Sequence, residues 1–163
     1  MTLEECLTDE VLGWEKVGHH ALLQRFVLRQ GKAYKNDART PPHLMREIKM
    51  CFRNATKYCR DYGGTYVEGF VMKPNLPILI HHAWVATDDD FVIDPTLRDS
   101  EHAKYFGVPF KIELVLRTTL RQGHYGMAAS SSTLALSFRG SVLNANTWCN
   151  SPSSCSNEQE QKR

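Results

Sequence analysis

The sequence of 163 residues lacks the marks of several large protein classes. No apolar run approaches the ~20 residues that a membrane-spanning helix needs, which argues against a spanning protein. Twenty basic and 18 acidic residues give a net charge of +2, so we expect no broad electrostatic surface for nucleic acid or an anionic membrane. The first residues lack the basic and apolar regions of a secretory signal, so we expect a cytoplasmic protein.

Paired cysteine motifs are also missing. The five cysteines form no CxxC pair and no cluster with zinc spacing, and their number is odd: Cys6, Cys51, Cys59, Cys149 and Cys155. We therefore expect no disulfide framework, no structural zinc site and no cofactor. The pair His19–His20 has no third ligand at metal spacing and is assigned no function. The cysteines then matter mainly if one of them is a reactive thiol.

A change of composition near residue 128 divides the chain. Residues 128–163 contain nine serines and four asparagines but few apolar residues. Such a segment buries too little apolar surface to offset the entropy of ordering it, so we predict a disordered tail with at most a short strand at 133–138. Residues 1–127 are predicted to form a single folded domain.

The spacing of apolar residues predicts most elements of this domain. Over residues 44–62 apolar side chains recur at three- and four-residue intervals. This spacing predicts a helix that carries Cys51 and ends at Gly63. Strands are predicted from β-forming or alternating residues over 66–72, 78–86, 91–94 and 110–116. Residues 4–12 predict a short helix, and 21–29 fit either a helix or a strand. A helix packed on an antiparallel meander gives an α+β fold class.

The hairpin between the two middle strands predicts a contact between a histidine and a carboxylate. A three-residue loop over 87–89 would place His82 directly opposite Asp94 on one face of the sheet. The carboxylate could then accept a hydrogen bond from one ring nitrogen and leave the other free. His81 would point to the opposite face. A four-residue loop would instead place Pro95 opposite His82, so the prediction depends on the turn.

Cys51 supplies a candidate nucleophile for this pair. If its helix packs on the His82 face, the thiol, imidazole and carboxylate can act as nucleophile, base and orienting group. A neighbouring imidazolium activates a thiol, and a position in the first helical turn would add the effect of the helix dipole. Taken singly, each residue also has a structural interpretation: core packing for Cys51 and His82, and turn formation for Asp94. Cys59 on the same helix is interpreted as structural.

Four segments occur in a characteristic order: residues 51–55 (CFRNA), 64–70 (GTYVEGF), 82–85 (HAWV) and 92–96 (VIDPT). Together they resemble the transglutaminase-like core of the papain-like cysteine hydrolases and acyltransferases. The resemblance covers about residues 50–96. It implies that Cys51 is the nucleophile, His82 the general base and acid, and Asp94 the orienting carboxylate. The reaction implied is acyl transfer through a thioester on a protein or peptide substrate.

Two departures from the larger members leave the substrate class open. Lys49 and Met50 precede the cysteine where small or aromatic residues are common, and the domain is minimal. Trp84 and Glu68 are the candidate substrate-binding residues. Trp84 is interpreted either as a core residue or as the wall of a cleft, and Glu68 either as a cleft residue or as a charge at the edge of the sheet.

The oxyanion of such a reaction would need two hydrogen-bond donors. The backbone N–H of Cys51 is one candidate. Gln24 or Gln30 could supply the second donor by analogy with papain-like enzymes.

Two other functions stay open from the sequence. A non-catalytic module could use the same fold and a cleft around Trp84 to bind a peptide or protein, with residues 128–163 as an additional contact. A metal hydrolase could use His81, His82 and the acidic run 88–90, although that run is interpreted as a solvated turn. Within the thiol class we expect hydrolysis rather than cross-linking, because nothing indicates a site for an acyl acceptor or for calcium.

Overall fold

The computed structural model describes residues 2–17, 21–36, 40, 42–98 and 100–127. Within these ranges four α-helices and a curled five-stranded antiparallel sheet form an α+β fold, which confirms the predicted class. The elements in chain order are α1 (Leu3–Lys16), α2 (Leu22–Gln30), β1 (Lys32–Tyr34), a 3-10 turn (Pro42–Leu44), α3 (Cys51–Tyr62), β2 (Thr65–Lys73), β3 (Leu76–Ala86), β4 (Val92–Ile93), β5 (Lys104–Phe110) and α4 (Ile112–Gln122).

Some sequence predictions fall outside these ranges. They are the tail over 128–163 with its strand at 133–138, the pair His19–His20, and the cysteines Cys149 and Cys155. No helix in the described part of the chain combines the length and the apolar character that crossing a membrane requires.

The sheet has the strand order β1-β5-β2-β3-β4. The hairpin β2–β3 lies at its centre, and β5 returns to pair with β2 from Tyr66↔Phe110 to Met72↔Lys104. The predicted meander is therefore wrong in its order, because the strand that follows β4 does not add beside it. A physical reason is the length of the available edges: β4 pairs through only two residues, whereas β2 offers a seven-residue ladder.

Helix α3 begins later than the apolar spacing predicted. The chain forms a 3-10 turn at Pro42–Leu44, and Lys49 then adopts a positive φ of 66°. A left-handed residue cannot continue an α-helix, so the helix starts only after Met50, its N-cap. Cys51 is consequently the first residue of α3, at the positive end of the helix dipole.

The strand predicted over 110–116 is also wrong. Strand β5 ends at Phe110, and helix α4 begins at Ile112 with Lys111 as its N-cap. The alternation of apolar and charged residues is short, and Ile112 and Val115 also have the three-residue spacing of a helix face. Val115 is fully buried, whereas Leu120 on the same helix is exposed.

The two faces of the sheet carry two separate hydrophobic clusters. Ala83 and Val85 of β3 belong to the cluster that includes the helices, among them Ala55 and Cys59 of α3. Trp84 belongs to the cluster on the opposite face, together with Tyr34, Val67, Val71, Ala86, Val92, Ala103 and Tyr105. Because side chains alternate along a strand, His82 shares the Trp84 face and His81 faces the helices.

Candidate active site

The turn between β3 and β4 differs from the predicted three-residue loop. The observed pairs are Val85↔Ile93 and Ala86↔Val92, and the N–H of Thr87 donates to the carbonyl of Phe91. His82 therefore does not lie directly opposite Asp94, and that predicted register is wrong. The register is displaced by two residues, which keeps every side chain on its predicted face. His82 and Asp94 are diagonal neighbours and still meet.

The contact between His82 and Asp94 is a short, buried hydrogen bond. Nε2 of the imidazole lies 2.7 Å from Oδ2 of the carboxylate. Burial favours the neutral ring, but the hydrogen bond with Asp94, the neighbouring Cys51 and the charges of these two groups outweigh it and raise the pKa of His82 from 6.5 to about 9. We therefore expect His82 to be an imidazolium at neutral pH.

Asp94 accepts further hydrogen bonds that fix its carboxylate. The backbone N–H groups of Thr96 and Leu97 donate to Oδ1, each over 2.9 Å. The hydroxyl of Tyr105 donates to Oδ2, also over 2.9 Å. Burial alone would raise the pKa of Asp94, but its hydrogen bonds and the charge of His82 lower that pKa below its ordinary value of 3.8. The carboxylate is therefore ionised and acts as an acceptor at neutral pH.

The side chain of Cys51 completes this arrangement, because it lies close enough to His82 to contribute to the raised pKa of the imidazole. Since Nε2 is engaged by Asp94, Nδ1 is the ring nitrogen left for the sulfur. Only 8% of Cys51 and 4% of His82 is exposed. Thiol, imidazole and carboxylate thus form one buried series, in which the imidazole is hydrogen-bonded to the carboxylate.

The route by which Cys51 reaches His82 differs from the predicted one. The body of α3 packs on the face of Ala83 and Val85, not on the face of His82. The first residue of the helix interacts with the imidazole, and β4 covers β3 no further than Val85 and Ala86. The first turn of a helix can therefore approach the uncovered edge of β3 and contact a side chain of the other face.

The segment after β4 ties the start of α3 to Asp94. The side-chain amide of Asn54 donates to the hydroxyl of Thr96 over 3.0 Å and to the carbonyl of Glu47 over 2.7 Å. The N–H of Arg46 donates to the carbonyl of Pro95 over 2.7 Å. Asn54 is buried, and sequence reasoning assigned it no role. These bonds hold the first turn of α3 beside the loop that carries the carboxylate.

Neither candidate substrate-binding residue reaches the surface. Trp84 is completely buried, with its ring 6.5 Å from that of His82 and nearly parallel to it. Glu68 is also completely buried and accepts hydrogen bonds from the hydroxyl of Tyr66 and the N–H of Met127. A substrate cannot contact either side chain in this conformation. Both side chains are therefore enclosed by the fold in this conformation.

The residues nominated as the second oxyanion donor lie in the helical pair α1–α2. The amide of Gln24 donates to Glu10 of α1 over 3.4 Å. Gln30 is the last residue of α2, and α2 packs on α1 and β5. The start of α3 offers other donors, because Met50 provides no side-chain cap and the first N–H groups of a helix have no partner within it.

Cys59 provides the internal comparison for Cys51. It lies on the same helix and is 5% exposed. Burial raises the pKa of the Cys59 thiol from 9.0 to about 12. No imidazole offsets that cost at Cys59, which agrees with the structural role predicted for it.

An open groove of about 1020 Å³ adjoins the loop that holds Asp94. Its lining includes Thr40, whose hydroxyl accepts from the N–H of Asp94, and Leu97, whose N–H donates to the carboxylate. Among the described residues that line the groove, neither Cys51 nor His82 occurs. The groove therefore adjoins residues that bond to Asp94, and its described lining does not include the thiol of Cys51.

The histidine pair has two different environments, as the alternation predicted. The ring of His81 lies 5.0 Å from that of Phe52 and 5.6 Å from that of Phe70, and its Nε2 is buried without a hydrogen-bond partner. The metal-hydrolase alternative would need both histidines to bind one ion, but they point to opposite faces. No group of three or more histidine, cysteine or acidic residues in the described ranges is arranged to hold a metal.

The environment of His81 predicts a loss of stability in acid. Burial and the neighbouring His82 lower the pKa of His81 from 6.5 to about 4. At pH values between 4 and 6.5 the unfolded chain binds a proton at His81 that the folded protein excludes. The free energy of unfolding therefore falls as the pH falls from 6.5 to 4. We expect His81→Phe, which keeps a ring between Phe52 and Phe70, to reduce that loss by about 1–2 kcal/mol at pH 4.5.

Urea unfolding of both proteins at pH 6.5 and pH 4.5 measures this difference. His43→Gln, a change at an exposed histidine, is the matched control and should leave the acid loss unchanged. Equal losses in wild type and His81→Phe would show that His81 takes up its proton as readily in the folded protein as in the unfolded chain.

Comparisons of the chain with models of protein families, with curated proteins and with solved structures find no match. The resemblance to the transglutaminase-like core therefore rests on the four sequence segments.

Proposed function

We propose that this chain is a cysteine-dependent amide hydrolase or acyltransferase of the transglutaminase-like, papain-like type. The observation that carries the proposal is the buried series of Cys51, His82 and Asp94, in which the imidazole is hydrogen-bonded to the carboxylate and interacts with the thiol. In this series Nε2 of His82 is hydrogen-bonded to Asp94, and Nδ1 is the ring nitrogen left for the sulfur of Cys51. A protein or peptide is the proposed substrate class, as the family resemblance implies.

In the proposed acylation, the sulfur of Cys51 attacks the carbonyl carbon of an amide. A protonated His82 favours the thiolate form that makes this attack. The C–N bond then breaks, and His82 gives its Nδ1 proton to the departing amine. The product is a thioester on Cys51, and Asp94 keeps the ring oriented throughout.

In the proposed deacylation, the neutral His82 takes a proton from water as the water oxygen attacks the thioester carbon. The C–S bond breaks, a carboxylic acid leaves and the proton returns to the Cys51–His82 pair. An amine in place of water would give acyl transfer. The backbone N–H groups at the uncapped start of α3 are the proposed donors to the oxyanion in both steps.

An activated ester tests the proposal without knowledge of the natural substrate. We expect p-nitrophenyl acetate to acetylate Cys51, identified by peptide mapping after a brief incubation at pH 7. Cys51→Ala should lower the release of p-nitrophenol to the background of other nucleophiles, about 100-fold or more below wild type. Cys59→Ala, on the same helix, is the matched control and should keep the wild-type rate.

The second candidate function is a non-catalytic module that binds a peptide or protein. The small exposure of Cys51 and His82 favours it, because a substrate must reach the sulfur. The cleft that the sequence predicted around Trp84 does not support a binding module, because that ring is fully enclosed. Failure of wild-type protein to form the acetyl adduct, while remaining folded, would favour the binding module over the enzyme.

A further inference from the structure

Tyr105 reaches the carboxylate of Asp94 from a distant strand. It lies on β5, which is separated from β3 by β2. Its hydroxyl donates to Oδ2, the same oxygen that accepts from His82. Burial and the charge of Asp94 raise the pKa of Tyr105 far above its ordinary value of 10, so the hydroxyl keeps its proton and remains a donor.

The ring of Tyr105 is held in place by its neighbours. It packs edge-on against Trp84, with 5.1 Å between the ring centroids, and only 2% of the residue is exposed. Gly107 leaves room for that indole, since a Cβ there would lie 2.6 Å from the Trp84 ring. The donor therefore has little freedom to leave Asp94.

Two donors on one carboxylate oxygen have a chemical consequence. Each hydrogen bond to an ionised oxygen withdraws part of its negative charge, so Tyr105 reduces the charge that Oδ2 presents to His82. The N–H groups of Thr96 and Leu97 hold the other oxygen and keep the carboxylate plane fixed. Among the described residues, the titratable groups that face Asp94 are His82 from β3 and Tyr105 from β5, with Cys51 behind His82.

We propose that Tyr105 is a positioning residue of the Cys51–His82–Asp94 series. Its hydroxyl holds the carboxylate of Asp94 toward the imidazole and limits how tightly that carboxylate retains the ring proton of His82. This inference rests on the proposed function, because acyl transfer requires His82 to give up and recover that proton. Tyr105 touches no reacting atom and acts only through Asp94. No motif in the sequence indicated this role.

Tyr105→Phe removes the hydroxyl and keeps the ring that packs on Trp84, so we expect the variant to fold. The titration of His82, followed by the ¹⁵N signals of its ring, should move to higher pH by about 0.5–1 unit because Oδ2 becomes a stronger acceptor. Tyr34→Phe is the matched control. Tyr34 also packs edge-on against Trp84, at 5.6 Å, but the hydrogen bonds to Asp94 described above come from other residues.

An unchanged or lowered midpoint in folded Tyr105→Phe would overturn the inference, since packing alone would then account for the tyrosine. Acetylation by p-nitrophenyl acetate separates this result from a failure of the proposed function. Wild-type protein that forms no adduct on Cys51 refutes the enzyme, whatever the titration gives. Wild-type protein that forms the adduct, together with an unshifted Tyr105→Phe titration, refutes only the role of Tyr105.

Discussion

Replacing His82 by alanine should slow the alkylation of Cys51 by iodoacetamide at pH 6.5 on the order of 10–100-fold. A free thiol with a pKa near 8.5 is only about 1% thiolate at that pH, and a neighbouring imidazolium stabilises a thiolate. The interaction between the two side chains brings that positive charge near the sulfur. Peptide mapping at several reaction times gives the rate at each cysteine separately.

Cys59 serves as the internal control for this measurement. It is buried in the same helix, and burial raises its pKa to about 12, so it should react only when the protein unfolds. Protection of Cys59 in His82→Ala would show that the variant is folded. If Cys51 of folded His82→Ala reacted as fast as Cys51 of wild type, the imidazole would have no part in activating the thiol.

The second large effect is expected on stability. We expect Asp94→Ala to lower the free energy of unfolding at pH 7 by about 3–5 kcal/mol, because it leaves a buried cation and several buried donors without their acceptor. The carboxylate is 1% exposed and accepts from His82, Tyr105 and the N–H groups of Thr96 and Leu97. Urea unfolding of wild type and variant gives the difference.

Two comparisons sharpen this prediction. Asp88→Ala, on the exposed turn after β3, should change stability by no more than about 0.5 kcal/mol. Because the pKa of Asp94 is lowered, its contribution is present above pH 3.8 and is lost as the pH falls through the folded-state pKa, so wild type and Asp94→Ala should converge in strong acid. A loss at pH 7 as small as that of Asp88→Ala would mean that the carboxylate is not an essential acceptor.

The histidine–carboxylate contact could be predicted although its register could not. Alternation along the strands put His82 and Asp94 on one face, and the observed register differs from the predicted one by two residues, which preserves that face. The loop length depended on Asp90, which adopts a positive φ of 65°. Nothing in a run of three aspartates shows which of them will do so.

The residues that complete the site depend on long-range packing. Lys49 adopts a left-handed conformation that sets the start of α3 at Cys51, and apolar spacing cannot report a single backbone angle. Tyr105 approaches Asp94 only because β5 crosses back to β2, a strand order that the local pattern did not contain. The complete burial of Trp84 and Glu68 likewise follows from that packing and not from their positions in a motif.

The most direct test of the account is the titration of His82 in wild-type protein, followed by the ¹⁵N signals of its two ring nitrogens. We expect both nitrogens to carry protons at pH 7 and the ring to lose one of them near pH 9. A ring that is already neutral at pH 7, with a midpoint near the ordinary 6.5, would show that neither the carboxylate nor the thiol acts on it as the geometry requires.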